Sequence, residues 1–139
     1  MKKMDTRIIN QLVTLCLFIF VGVASHAQNS IDEMVENIST LGSSKFTSVV
    51  DRDPKTGQIN KVVKVLQVPG LQANKLRNAF LKEKDEGSFS HSKNGKEETM
   101  TLTVESPKRV RIYMLRMEMS GQYNYSSAKV TVIVKNNTK

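Results

Sequence analysis

The chain is short of the residues that cross-link small domains and of the aromatic residues that fill large cores. Its 139 residues include one cysteine, two histidines, three prolines and no tryptophan, and only 6% are aromatic. A single cysteine excludes an intramolecular disulfide framework, so stability must come from a packed core. The hydrophobic share of 39% excludes a multi-span membrane protein, and the charged share of 24% is too ordinary for a wholly disordered chain. The length allows one domain.

Long apolar runs are also missing, with one exception near the amino terminus. There, three basic residues among the first seven precede an apolar run over residues 12–24, which is shorter than the roughly 20 residues of a membrane span. The tripeptide Ser25-His26-Ala27 then places small residues where a signal peptidase cleaves. This order predicts a secretory signal peptide at residues 1–27 and one mature domain at residues 28–139. The mature domain would be periplasmic or secreted, and it would keep no transmembrane segment.

Positive charge dominates the chain, which carries a net charge of +8. Cleavage removes three basic residues and one acidic residue, so residues 28–139 keep 18 basic and 12 acidic residues, a net charge of +6. Residues 54–82 hold six basic residues and no acidic one, which equals that whole excess. This segment predicts a binding patch for a polyanion, an anionic lipid or a glycan, formed by Lys61, Lys64, Lys75, Arg77 and Lys82. The alternative, which we favour, is a solvated basic face that aids solubility.

Hydrophobic periodicity predicts two helices and six strands. Apolar residues at steps of three and four predict a first helix from Ser30, a candidate N-cap, to Gly42, and a second helix over residues 71–84. Pro and Gly mark the turn of a hairpin formed by residues 45–51 and 59–68. A second hairpin precedes a long strand over residues 109–119, a loop over 121–127 and a last strand over 129–135. The order α-β-β-α-β-β-β-β predicts an α+β domain with an antiparallel sheet of about six strands and two helices on one face.

The second hairpin is centred on Asn94-Gly95, and this predicts which side chains meet across the sheet. A two-residue turn at these positions places Phe89 opposite Met100 and His91 opposite Glu98. The second strand of the hairpin alternates apolar residues with threonines. We therefore expect one buried face and one hydrated face.

The chain offers few residues for catalysis. Removal of residues 1–27 leaves His91 as the only histidine and no cysteine, which excludes a Cys/His zinc site within one chain. His91, Glu98 and either Ser90 or Ser92 could be drawn as a hydrolytic triad. Neighbouring strand residues point to opposite faces, however, so we favour an ordinary cross-strand pair of His91 and Glu98. We predict a protein with no enzymatic activity and no cofactor, and a small hydrolase is the less favoured alternative.

Four methionines lie in the later strands: Met100, Met114, Met117 and Met119. Soft thioether ligands could form a copper(I) site if the fold brought them together. The alternative is a plastic core, because methionine fills irregular spaces. We favour the core and expect Met100 and Met114 to be buried, and we predict no metal site.

The strand over residues 109–119 carries charge as well as apolar residues. A second basic group consists of Lys108, Arg109, Arg111 and Arg116. Arg109 and Arg111 share a face with Tyr113, and the group could form an anion-binding strip on the hydrated side of the sheet. The alternative, which we favour, is that these charges protect an edge strand from aggregation.

The strand is also the candidate surface of our preferred function, a module that binds another envelope protein, with Tyr113, Tyr123 and Tyr125 as exposed aromatic anchors. Binding of an anionic surface through residues 54–82 is the alternative, and export argues against a nucleic-acid partner.

Several short stretches of the mature segment carry a resemblance. They include residues 43–48 and 61–65, and also Ile31-Asp32-Glu33-Met34, Asp53-Pro54-Lys55-Thr56-Gly57 and Arg109-Val110-Arg111-Ile112-Tyr113. In these stretches the sequence resembles small exported proteins of unknown function from Bacteroides-type bacteria. The resemblance implies a Gram-negative envelope setting, and it brings no assigned activity and no functional residues.

Overall fold

Two helices and six strands follow one another in the predicted order in the computed structural model, which describes residues 30–121 and 124–137. The elements are α1 (Ser30–Ser39), β1 (Lys45–Arg52), β2 (Ile59–Pro69), α2 (Ala73–Glu83), β3 (Ser88–Asn94), β4 (Glu97–Glu105), β5 (Arg109–Met119) and β6 (Tyr125–Asn136). Single turns of 3-10 helix, Gly70–Gln72 and Lys84–Glu86, precede and follow α2. The predicted signal peptide at residues 1–27 and the candidate anchor Tyr123 lie outside the described residues.

The six strands form one antiparallel sheet in the order β1-β2-β6-β5-β4-β3, which confirms the predicted α+β fold. β1 and β3 are the edge strands. Both helices contact the same face of the sheet, since Tyr113 of β5 meets Phe80 of α2 and Asp32 of α1. We call this the helix face, and we call the opposite side the open face.

The core lies between the helices and the helix face. Register places four fully buried side chains next to one another on neighbouring strands: Leu66, Val130, Leu115 and Met100. Helix residues at the predicted steps of three and four complete this core: Ile31, Val35 and Ile38 in α1, and Ala73, Leu76, Ala79 and Phe80 in α2. Full burial of one large aliphatic side chain contributes about 1.5–3 kcal/mol. The apolar side chains whose spacing predicts the helices therefore also stabilise the packing of the helices on the sheet.

β5 is an interior strand, so the interpretation of its basic residues as edge protection is wrong. It pairs with β4 from Val110 to Glu118 and with β6 from Arg109 to Met119. Tyr113, which we expected to be an exposed anchor, is 1% exposed and packs edge-on against Phe80, with ring centroids 6.5 Å apart. The alternation of β5 is compatible with either assignment of its two faces, and the fold buries the face that carries Tyr113.

The turn between β3 and β4 lies one residue further along the chain than predicted. Gly95 and the residue after it are central, so His91 lies opposite Met100 and diagonal to Glu98. Gly95 has a φ of +61°, and among the described residues no non-glycine residue has a positive φ. This combination is typical of a type II′ turn, whereas a turn centred on Asn94-Gly95 favours a positive φ at both positions. The predicted register changes by two residues, which leaves His91 and Glu98 on one face.

β6 begins earlier than predicted, because residues 125–127 belong to the strand and not to a loop. Two serines follow Tyr125, and small polar residues give a weak strand signal. The pairing with β5 is irregular here: Ser127 lies opposite Glu118, and Tyr125 lies opposite Met119, so one residue of β6 is left over. Such a bulge changes the direction in which a side chain points.

Candidate functional site

The open face carries an apolar band across its centre. Val63, Ile133 and Ile112 lie next to one another on β2, β6 and β5, and all three are half-buried. Met114 lies two residues after Ile112 on the same face of β5, and it is 41% exposed although β5 is an interior strand. Among the described residues, both helices lie on the other side of the sheet, so the apolar side chains of this band contact one another and solvent.

A pocket of about 420 Å³ lies at one end of the open face. It is lined by side chains that the register places next to one another on four strands: Lys45, Gln67, Lys129 and Arg116. Arg116 forms a salt bridge with Glu97, in which Nε of Arg116 lies 2.7 Å from Oε1 and Nη2 donates to Oε2 at 2.9 Å. Glu118 also lines the pocket, but no carboxylate of residues 30–121 and 124–137 forms an ion pair with Lys45 or Lys129. This end of the open face therefore attracts anionic groups.

The helix face contains a buried carboxylate, Glu98 on β4, whose side chain is 3% exposed. Arg77 of α2 donates from Nε to Oε1 of Glu98 at 3.0 Å, and Tyr125 donates from its hydroxyl to Oε2 at 3.0 Å. His91 Nε2 lies 3.2 Å from Oε1, within the range for donation to the carboxylate. Both oxygens of Glu98 thus have donors, as a buried charge requires.

The charges and donors around Glu98 decide its protonation. Burial alone would raise the pKa of Glu98, but the hydrogen bonds from Arg77, Tyr125 and His91, together with the charge of Arg77, lower this pKa below its usual value. The pKa of the Tyr125 hydroxyl changes in the opposite direction, because burial and the adjacent Glu98 carboxylate raise it. The ionised carboxylate and the neutral phenol are therefore the stable pair at neutral pH.

A second polar contact joins α1 to the sheet. The buried hydroxyl of Tyr113 donates to Oδ2 of Asp32 at 2.9 Å, and Nη1 of Arg111 donates to the same hydroxyl at 3.2 Å. Arg111 Nη1 also lies 3.9 Å from Asp32 Oδ2. Burial and the charge of Asp32 raise the pKa of Tyr113, against the opposing effect of Arg111. Arg111 and Tyr113 therefore fix a helix, and they do not form a hydrated strip.

The five cations predicted as one patch within residues 54–82 lie on separate surfaces. Lys61 is on the open face, whereas Lys64 is on the helix face and binds Glu36 of α1 at 3.1 Å. Arg77 binds the buried Glu98, and Lys75 and Lys82 are exposed on α2. Arg109 is exposed at the start of β5. The basic residues that do share a pocket come from other parts of the chain, because strand order brings β1, β2, β6 and β5 together.

The methionines and the proposed triad do not converge on a site. Met100 and Met117 are buried on the helix face, whereas Met114 lies on the open face, so the expectation that Met114 is buried is wrong. Ser90 and Ser92 lie on the open face, on the other side of the sheet from His91. In the described part of the chain, no three His, Cys, Asp or Glu residues come together as a possible metal site.

Two features of the site were missed by sequence reasoning, and one of them had a visible signal. Glu98 is in phase with the apolar residues of β4, so alternation already placed a carboxylate on the buried face. Its contacts with Arg77 and Tyr125 depend on the packing of α2 and on the bulge in β6, which no short sequence pattern specifies. The pocket at Lys45 and Lys129 depends on strand order, which is also a tertiary property.

No helix among residues 30–121 and 124–137 has both the length and the apolar character required to cross a membrane.

Comparisons with known proteins place the chain in a family. A search of curated proteins found no match. Residues 28–127 match the family described as domain of unknown function DUF5024, a stretch that covers both helices, five complete strands and the start of β6. The chain belongs to the DUF5024 family.

Proposed function

We propose that this chain is an exported envelope protein without enzymatic activity that binds another protein through the open face of its sheet. The apolar band on that face carries the proposal, because Met114 is exposed in the middle of an interior strand and no described element covers it. Contiguous exposed apolar surface with a polar border is typical of protein interaction sites.

The charges at the ends of the open face indicate the chemistry of the partner. Lys45, Lys129 and Arg116 line the pocket at one end. At the other end the register places Lys61 between Lys135 and Asp51, so that end has mixed charge. A partner with a complementary surface presents apolar side chains to the band and carboxylates to the pocket end, because opposite charges across an interface favour association.

The arrangement of the polar groups supports a role without catalysis. A hydrolytic triad needs a nucleophile within reach of its base. His91 shares its face with Glu98, whereas the serines nearest to it in sequence, Ser90 and Ser92, are on the opposite face. Both oxygens of Glu98 already accept hydrogen bonds from Arg77, Tyr125 and His91, so this carboxylate serves to join α2 and the start of β6 to β4.

Export rests on the order of residues 1–27, in which a basic start, an apolar run and small residues follow one another. The direct test is amino-terminal sequencing of the protein recovered from envelope and medium fractions of its native cell. We expect a mature chain that begins at Gln28. Recovery of the uncleaved chain from the cytoplasm would contradict this part of the proposal.

The binding surface is tested by comparing two matched variants in affinity purification from the native envelope fraction. Met114→Glu places a charge in the apolar band, and Leu71→Glu places the same charge on an apolar side chain that is 88% exposed just before α2. We expect a protein that co-purifies with the native chain and with Leu71→Glu but not with Met114→Glu, and whose binding weakens with salt. Identical sets of proteins with all three baits would contradict the proposal.

A further inference from the structure

The edge strand β1 has the features of a strand that pairs with another strand. All eight of its residues are exposed, and among them are Phe46 at 38%, Val49 at 59% and Val50 at 44%. Proteins usually protect an edge with charged side chains, proline, a bulge or a short strand. The charges of β1 lie at its ends, and residues 46–50 carry none. β1 contains no proline, and its pairing with β2 is regular from Lys45 to Asp51.

The other edge of the same sheet differs. β3 carries Ser88, Ser90 and Ser92 on the open face, and its His91 is engaged with Glu98. Its one large apolar side chain, Phe89, is partly buried against the core. The two edges therefore differ in kind: one is polar, and the other exposes apolar side chains on both of its faces.

We propose that two copies of this chain pair through their β1 strands, antiparallel, with Ser48 opposite Ser48 of the second copy. This register places Lys45 opposite Asp51, Phe46 opposite Val50 and Thr47 opposite Val49, and the two-fold symmetry repeats each pair. Opposite charges and apolar pairs that face each other directly are the cross-strand contacts that stabilise a sheet. The sequence of β1 is thus complementary to itself in this register.

Neighbouring registers lose that complementarity. A shift of two residues in one direction places Lys45 opposite Val49. A shift in the other direction places it opposite Asp53, which lies beyond the end of β1 and whose carboxylate already accepts a hydrogen bond from the Lys55 amide in the turn. A shift of one residue would join the open face of one copy to the helix face of the other. Lys45 and Asp51 therefore select the register, and both lie on the open face of β1.

The geometry also predicts a closed dimer. Each copy uses its β1 edge once, and a contact in which the same patch meets itself about a two-fold axis leaves no further β1 edge for a third copy. The remaining edges are the polar β3 strands. In this dimer both open faces lie on the same side of one continuous sheet. The pairing does not depend on the proposed function, and because it engages Lys45 with Asp51 of the second copy, Lys129 and Arg116 remain as the basic residues of the pocket.

Charge exchange tests the pairing and its register together. Lys45→Asp and Asp51→Lys each place like charges opposite one another twice in the dimer, whereas the double variant restores both ion pairs. With the protein recovered after expression of the full-length chain, sedimentation equilibrium should show a native dimer, at least about tenfold weaker association in each single variant, and recovery in the double variant. Lys93→Asp, on the β3 edge, is the control and should leave association unchanged.

Cross-linking gives an independent measurement at the two-fold axis. Two directly opposite residues have Cβ atoms about 4.5–5.5 Å apart, close to the distance that a disulfide spans. Ser48→Cys should therefore form a covalent dimer on mild oxidation, while the native chain and Ser90→Cys on β3 should not. A native chain that is monomeric at every concentration, or single-variant losses that the double variant does not restore, would overturn the proposal.

Discussion

Arg77 on α2 donates a hydrogen bond from Nε to Oε1 of Glu98 on β4 at 3.0 Å, which joins the second helix to the sheet through a buried carboxylate. Tyr125 donates to the other oxygen of Glu98 from the start of β6. Three elements that are distant in sequence therefore converge on one charge. Because removal of one partner of a buried ion pair leaves the other without compensation, this contact should be among the most sensitive polar contacts of the domain.

Replacement of Glu98 by Gln should destabilise the domain. The amide keeps the shape of the side chain but removes the charge that accepts bonds from Arg77 and Tyr125. We expect the free energy of unfolding to fall by about 1–3 kcal/mol, the range for hydrogen bonds to a charged group. Urea denaturation at neutral pH would measure it. The neighbouring Glu97→Gln is the control, because that residue pairs with Arg116 at the surface and should change stability by less than about 1 kcal/mol.

The same carboxylate should give the stability a dependence on acid. The hydrogen bonds to Glu98 lower its pKa from the ordinary value of 4.5 in spite of burial. Because the pKa is lower in the folded than in the unfolded state, the stabilisation is complete above about pH 5 and is lost as the pH falls through the folded value. The difference in unfolding free energy between the native chain and Glu98→Gln should therefore shrink as the pH falls below about 5. Parallel pH curves for the two proteins would show that Glu98 is not responsible.

Local patterns in this chain predict its elements well and their contacts poorly. Steps of three and four identify α1 and α2, and alternation identifies β4 and β5, because burial on one side imposes a period on the sequence. Alternation does not predict which face of β5 is buried. The strand carries Tyr113 on one face and Met114 on the other, and both faces contain apolar residues. Strand order decides that question, and it depends on contacts between residues far apart in the chain.

The same distinction applies to the candidate sites. The contact between His91 and Glu98 is local to one hairpin, so it follows from the turn even when the turn is displaced by one residue. The pocket near Lys129 combines four strands, and the contact between Glu98 and Arg77 combines a strand with a helix. No single segment carries a signal for either arrangement.

The contribution of the hydrogen bond between Tyr113 and Asp32 to the unfolding free energy should be measurable separately from the contribution of the packed ring. Tyr113→Phe keeps the aromatic contact with Phe80 and removes the hydroxyl that donates to Asp32. We expect a loss of about 0.5–1.5 kcal/mol in unfolding free energy. A double-mutant cycle with Asp32→Asn would isolate the pair. Purely additive losses in the cycle would show that the two side chains do not interact.

Two consecutive residues of β5 test the assignment of the two faces. Leu115 is fully buried on the helix face, and Met114 is 41% exposed on the open face. Leu115→Ala should cost about 2–5 kcal/mol because it leaves a cavity in the core. Met114→Ala should cost less than about 1.5 kcal/mol, since solvent already reaches that side chain. A larger loss for Met114→Ala than for Leu115→Ala in urea denaturation would reverse the assignment of the faces.

Gly70 connects β2 to the turn before α2 at a point where two segments of backbone meet. A Cβ atom at this position would collide with the backbone carbonyl of Tyr125, at the first residue of β6. This carbonyl belongs to a paired strand and cannot move away as the end of a flexible side chain would, so Gly70→Ala should force the two strands apart. Overpacking of this kind costs about 1–3 kcal/mol or more. Gly42→Ala is the matched control, because a Cβ there meets no atom within 4 Å and Gly42 has no positive φ. Thermal or urea unfolding of both variants should show a large loss for Gly70→Ala and little change for Gly42→Ala, and equal stabilities would contradict the close approach of β2 and β6.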